Sequence, residues 1–70
     1  MKADEWLNAF AAEIGAEAPD DETTAALLDL AATAAHASER IAAPIACYMA
    51  GRDGRSLDDL RTAADRIGDH

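Results

Sequence analysis

The stretch Leu27–Gly51, LLDLAATAAHASERIAAPIACYMAG, decides the reading of the chain. It is the longest apolar-periodic run, and it holds His36, Pro44, Cys47 and Tyr48. At about 100° per residue, Leu27, Leu28, Ala31, Ala34, Ala35, Ser38 and Ile41 fall on one broad helical face, which Leu30 widens. Asp29, Thr33, His36 and Arg40 take the opposite side, with Glu39 at the boundary. Pro44 sets the end of this helix, because its ring clashes with the preceding turn and biases Ala43 away from the helical region. Proline is well tolerated as a first helical residue. Ile45, Tyr48 and Met49 then recur at helical spacing, so a separate short helix beginning at Pro44 is expected. One kinked helix is the alternative.

Working outward, Trp6, Leu7, Phe10 and Ile14 make an amphipathic stripe in a first helix. Asp4 and Glu5 sit in its first turn, where the macrodipole favours anions, and Gly15 suits its end. Glu17 to Glu22 reads as a solvated acidic loop, with Asp20 or Asp21 as the next N-cap. On the other side, Arg52-Asp53-Gly54-Arg55 has turn composition. Ser56 and Asp59 form a capping-box pattern before Leu57, Leu60, Ala64 and Ile67, the apolar stripe of a last helix. The terminal Gly68-Asp69-His70 is expected to fray. These signals give one all-α domain, a small bundle of three to four helices, over 1–70. The helices are expected at about 3–15, 21–42, 44–51 and 56–68.

Seventy residues lie near the lower limit for an independently stable core. Nineteen alanines inflate the 50% hydrophobic content, so the core is expected to rest on the larger apolar side chains. These are Trp6, Leu7, Phe10, Ile14, Leu27, Leu28, Leu30, Ile41, Ile45, Tyr48, Met49, Leu57, Leu60 and Ile67. Each contributes about 1.5–3 kcal/mol if fully buried. The expected monomer is marginal, which leaves a helix-mediated homodimer open.

Charge and composition narrow the function. A formal net charge of −8 argues against nucleic acid, whose phosphates require clustered Lys and Arg. It also disfavours an anionic membrane surface. One cysteine excludes an internal disulfide framework. The acidic start lacks a signal-peptide core, and no apolar run approaches membrane-spanning length. A cytoplasmic protein without a cofactor is expected.

The densest functional-looking cluster is His36, Glu39 and Arg40, which helical spacing brings to one surface. One His and one carboxylate are too few ligands for a metal site, and the paired Glu-x-x-His units of helical di-iron proteins are absent. On physical grounds the cluster reads as a polar face at a helix C-terminus. An expected ion pair from Arg40 to a carboxylate on another helix would make that face structural. Cys47, in an apolar helix without a Cys-x-x-Cys partner, reads as a small buried hydrophobe. Ser56 invites comparison with the prosthetic-group serine of acyl carrier domains. Arg55 stands where those domains have aspartate, and only one short helix follows, so the cap reading wins. No catalytic residue is assigned.

The order of residues in this stretch also resembles a small bacterial domain of unknown function found beside, or fused to, molybdenum cofactor guanylyltransferases. The likeness is carried by Trp6, Leu27-Leu28-Asp29-Leu30-Ala31, Ala35-His36, Glu39-Arg40, Ala42-Ala43-Pro44, Tyr48 and Gly51. Two features depart from that pattern: Ile41 stands where proline often follows the arginine, and Arg52-Asp53-Gly54-Arg55 interrupts an Ala/Gly-rich continuation. The resemblance implies an accessory role with a molybdenum cofactor nucleotidyltransferase as protein partner, and it transfers no catalytic residue. The expectation is a non-enzymatic interaction module. The alternative is a ligand-binding or catalytic domain, with His36, Glu39, Arg40, Pro44 and Tyr48 as candidate binding residues.

Overall fold

Several helix ends fall where the sequence supplies a cap: Gly15, Asp20, Gly54 and Ser56. The computed structural model describes residues 1–68, and among them it contains four α-helices and no strands: α1 (Ala3–Ile14), α2 (Asp21–Ala37), α3 (Ala42–Asp53) and α4 (Leu57–Ile67). This is the small all-α bundle expected. The fraying expected at Asp69-His70 lies outside the described residues.

α1 stops at Gly15, whose φ of 72° is costly for any residue with a Cβ. The N–H of Gly15 bonds the Ala12 carbonyl at 3.3 Å and that of Ala16 bonds the Ala11 carbonyl at 2.8 Å. These are the two bonds of a Schellman motif. Asp20 is the N-cap of α2, accepting from the Thr23 N–H at 2.8 Å. Ser56 caps α4 by accepting from the Asp59 N–H at 3.1 Å. Among the described residues, the reciprocal bond from Ser56 to the Asp59 carboxylate does not form, so only half of the capping box is present.

The α2–α3 connection differs from the sequence expectation. α2 ends at Ala37 instead of about 42, and α3 begins at Ala42, two residues before Pro44. Continuing α2 to Pro44 would drive the ring into the Arg40 carbonyl region and delete a helical bond. Instead Ser38 leaves helical geometry at φ −135°, ψ −103°. The N–H groups of Ala42 and Ala43 bond the carbonyls of Glu39 and Arg40 at 2.9 and 3.1 Å. Pro44 occupies the third helical position, where the missing N–H removes no intrahelical bond.

α3 also runs past Gly51 to Asp53, and Gly54 ends it at φ 88°. There the Asp53 carboxylate accepts from Arg55 three times: from the backbone N–H at 3.2 Å, Nε at 2.6 Å and Nη2 at 2.9 Å. These bonds, led by those from the guanidinium, hold the Asp53 pKa down at about 2.

α2 is the hub: α3 and α4 both pack along it, and α1 packs on no other helix to a comparable extent. α3 meets α2 through small side chains. α3 turns Ala42, Ala43, Ala46, Cys47 and Ala50 inward, all buried or half-buried, against a face of α2 that includes Leu27, Leu30, Ala31 and Ala34. The Cys47 thiol lies 3.8 Å from the Leu27 carbonyl as a weak donor. Leu30, 4% exposed, is the most buried hydrophobe, and Ala11 and Ala50 are the other buried ones. The expected core of large apolar side chains is therefore corrected. Among the described residues Leu30 is buried, Leu27, Leu57 and Leu60 are half-buried, and the other ten are exposed.

Candidate functional site

The helix periodicity that fixes α1 also fixes what it displays. Trp6, Leu7, Phe10 and Ile14 share one side of α1 at about 100° per residue, and all four are exposed. Trp6 and Phe10, one turn apart, stack with ring centroids 5.1 Å apart and 17° between their planes. α3 shows the same division. Its alanine side faces α2, while Ile45, Tyr48 and Met49, with Ile41 just before the helix, are exposed. Leu28 on α2 and Ile67 on α4 are exposed as well.

A protein of 7.3 kDa folded to ordinary compactness has about 4,200 Å² of accessible surface. This chain has 5635 Å². Its radius of gyration, 12.8 Å, likewise exceeds the roughly 11 Å expected for its length. α1, which packs little on the other helices, and the outward apolar side chains of α3 both add to that surface.

The five residues singled out from the sequence are all exposed: His36, Glu39, Arg40, Pro44 and Tyr48. His36 lines an open groove of about 460 Å³ between α2 and α4, with Asp29, Thr33, Arg61 and Asp65 as its other polar side chains. Glu39, Arg40, Pro44 and Tyr48 do not line that groove. Among the described residues, no side-chain hydrogen bond or ion pair joins any of the five to another. The ion pair expected of Arg40 is corrected too: among the described residues it has no carboxylate partner, because α2 ends before it and its segment is solvated.

The groove's cation is instead Arg61 on α4, which the sequence reading passed over. Its Nη2 donates to Asp29 on α2 at 2.9 Å and its Nη1 donates to Asp58 at 3.4 Å. The signal for it was weak, since the Asp29–Arg61 pair is long-range and Arg61 belongs to no motif. Tyr48 is held by a residue also missed. Arg52, one turn on, donates from Nη1 to the Tyr48 hydroxyl at 2.9 Å, and its guanidinium carbon lies 5.7 Å from the ring centroid. Helical spacing of four residues was the available clue. Among the described residues, no three His, Cys, Asp or Glu side chains group to hold a metal ion. No helix there is long and apolar enough to cross a membrane.

Fold and surface define a class of protein: a small all-α domain whose helices meet through alanine and carry bulky apolar side chains outward. More particularly, the chain belongs to the DUF6457 family, a domain of unknown function whose model matches residues 1–69. Comparison with curated proteins and with solved structures gives no match.

Proposed function

We propose that this domain is a non-enzymatic docking module of the cytoplasm that offers apolar side chains of α1 and α3 to a protein partner. The observation that carries the reading is the exposed surface, larger than a compact chain of this mass presents by about 1,400 Å². A standard protein–protein interface buries about 800 Å² on each partner. Large aromatic residues, here Trp6, Phe10 and Tyr48, are the side chains that most often dominate such interfaces. In water, leaving ten large apolar side chains exposed forgoes stabilisation that a domain this small needs. A partner that covers them supplies it.

The partner we propose is a molybdenum cofactor guanylyltransferase. Support comes from the resemblance carried by Trp6, Leu27 to Ala31, His36, Glu39-Arg40, Ala42-Ala43-Pro44 and Tyr48. Titration calorimetry of the chain into a purified guanylyltransferase of this kind, at two temperatures, tests the reading. Saturable binding with a negative heat-capacity change, the signature of apolar burial, is expected. Flat titrations at both temperatures, with chain at about 100 μM, would contradict that partner.

A further inference from the structure

The charges of the chain are divided as sharply as its side-chain sizes. Residues 1–39 carry nine carboxylate side chains and one cation, Lys2, so the whole formal net charge of −8 falls there. Residues 40–70 carry five arginines and five aspartates and are neutral. The exposed stripe of α1, Trp6-Leu7-Phe10-Ile14, therefore lies wholly in the acidic half. On a helical wheel of about 100° per residue, Glu13 borders the stripe beside Trp6 and Asp4 borders it beyond Leu7. Both are exposed. Asp4 accepts only from its neighbour's backbone, at 2.9 Å from the Glu5 N–H. Among the described residues neither carboxylate forms an ion pair. The exposed side of α3 is different: Arg52 lies among its apolar residues, and the carboxylate beside Met49, Asp53, is paired with Arg55.

We infer that the α1 face takes one kind of occupant: an amphipathic helix of a partner protein, with an apolar stripe and a Lys/Arg rim. This inference rests on the docking-module reading and names the chemistry of the partner. An apolar helix face bordered by carboxylates selects a helix bordered by cations, as flanking charges choose partners in coiled coils. A second copy brings the same carboxylates to the same place, and the like charges oppose a symmetric α1–α1 pair.

Trp6 is the single tryptophan, so its fluorescence reports on this face alone. The probes are three synthetic 18-residue peptides: a helix with leucine on one face and lysine on the other, its leucine/glutamate counterpart, and a scrambled leucine/lysine sequence without a face. The leucine/lysine helix is expected to blue-shift Trp6 emission and to bind at least about tenfold more tightly than either other peptide at low salt, weakening as salt rises. Phe10→Asp should abolish this binding, while Ile45→Asp on α3 should leave it unchanged. Glu13→Lys, which spares the apolar stripe, should narrow the preference between the lysine and glutamate helices. Circular dichroism of each variant checks that the helices persist.

Equal binding of the scrambled peptide, or of the glutamate helix, would overturn the inference. So would equal sensitivity to Phe10→Asp and Ile45→Asp. A dimer in sedimentation that Phe10→Asp dissolves would assign the face to a second copy, overturning the basic-helix occupant while leaving the docking reading standing. Guanylyltransferase binding that survives Phe10→Asp would separate the two readings in the same way.

Discussion

Trp6 and Phe10 stack face to face, centroids 5.1 Å apart, on a helix that leaves about half of each side chain in solvent. A stacked aromatic pair stabilises by about 0.5–1.5 kcal/mol beyond its area burial. A core tryptophan replaced by alanine loses about 3–5 kcal/mol. Trp6→Ala is therefore expected to cost about 0.5–1.5 kcal/mol, the loss of the stack alone. Urea unfolding followed by circular dichroism measures it. A loss of about 3 kcal/mol or more would place the ring in a core.

Leu30 is the opposite case. It sits at 4% exposure on α2, the helix against which α3 and α4 pack. Leu30→Ala should cost about 2–5 kcal/mol, a large share of the stability of any domain this small. Thermal melting should show a broad, weakened transition or none. A Tm within a few degrees of the parent would show that the α2 hub does not hold the fold together.

The two arginines near α2 should behave differently. Arg40 is exposed with no ion pair among the described residues, so Arg40→Ala should change stability by no more than about 0.5 kcal/mol. Arg61 ties α4 to Asp29 at 2.9 Å across a partly exposed groove, and Arg61→Ala should cost about 0.2–1 kcal/mol. The Arg61 effect should shrink in high salt, while Arg40→Ala should show no such dependence. A larger loss for Arg40 than for Arg61, in parallel melts, would reverse their roles.

Acid should loosen the turns before the helix interfaces. Hydrogen bonds from Arg55 lower the Asp53 pKa to about 2, and the Thr23 hydrogen bonds lower that of Asp20. A carboxylate whose pKa is lower folded than unfolded stabilises the fold above its unfolded pKa. That contribution fades as pH falls through the folded value. Stability from Asp53 should therefore be present above its unfolded pKa of about 4 and lost toward pH 2, and that from Asp20 should fade in the same direction. Carboxyl NMR titration should give Asp53 a midpoint near 2, and Asp53→Asn should flatten the acid limb of the melting profile. An Asp53 midpoint at the ordinary aspartate value would show that the Arg55 clasp does not form in solution.

The helices were legible in the sequence because their signals are local. Gly15, Asp20 and Ser56 mark termini through the backbone groups they satisfy, and the all-α reading of three to four helices follows from them and from the apolar periods. The α2–α3 join was harder, because proline is compatible with any position of a first helical turn, and Pro44 sits at the third. Which apolar face is covered was not legible at all. Periodicity shows that Ile45, Tyr48 and Met49 share a side of α3, but not that Ala42, Ala46 and Ala50 are the side α2 accepts. Small residues let helix axes approach closely, and that preference is a property of the pair of helices. The candidate cluster failed to converge for a related reason. His36 to Arg40 lie together only if α2 continues through them, and it ends at Ala37.

The central claim is that the bulky side of α1 faces water in the isolated chain, and Trp6 reports on it directly. Acrylamide quenching of Trp6 fluorescence, at a concentration where sedimentation shows a monomer, is the most direct measurement. At 53% exposure, Trp6 should emit well to the red of a core tryptophan and be readily quenched by acrylamide. A blue-shifted, quencher-resistant Trp6 in the monomer would contradict the account, because α1 would then be covering a core of its own chain.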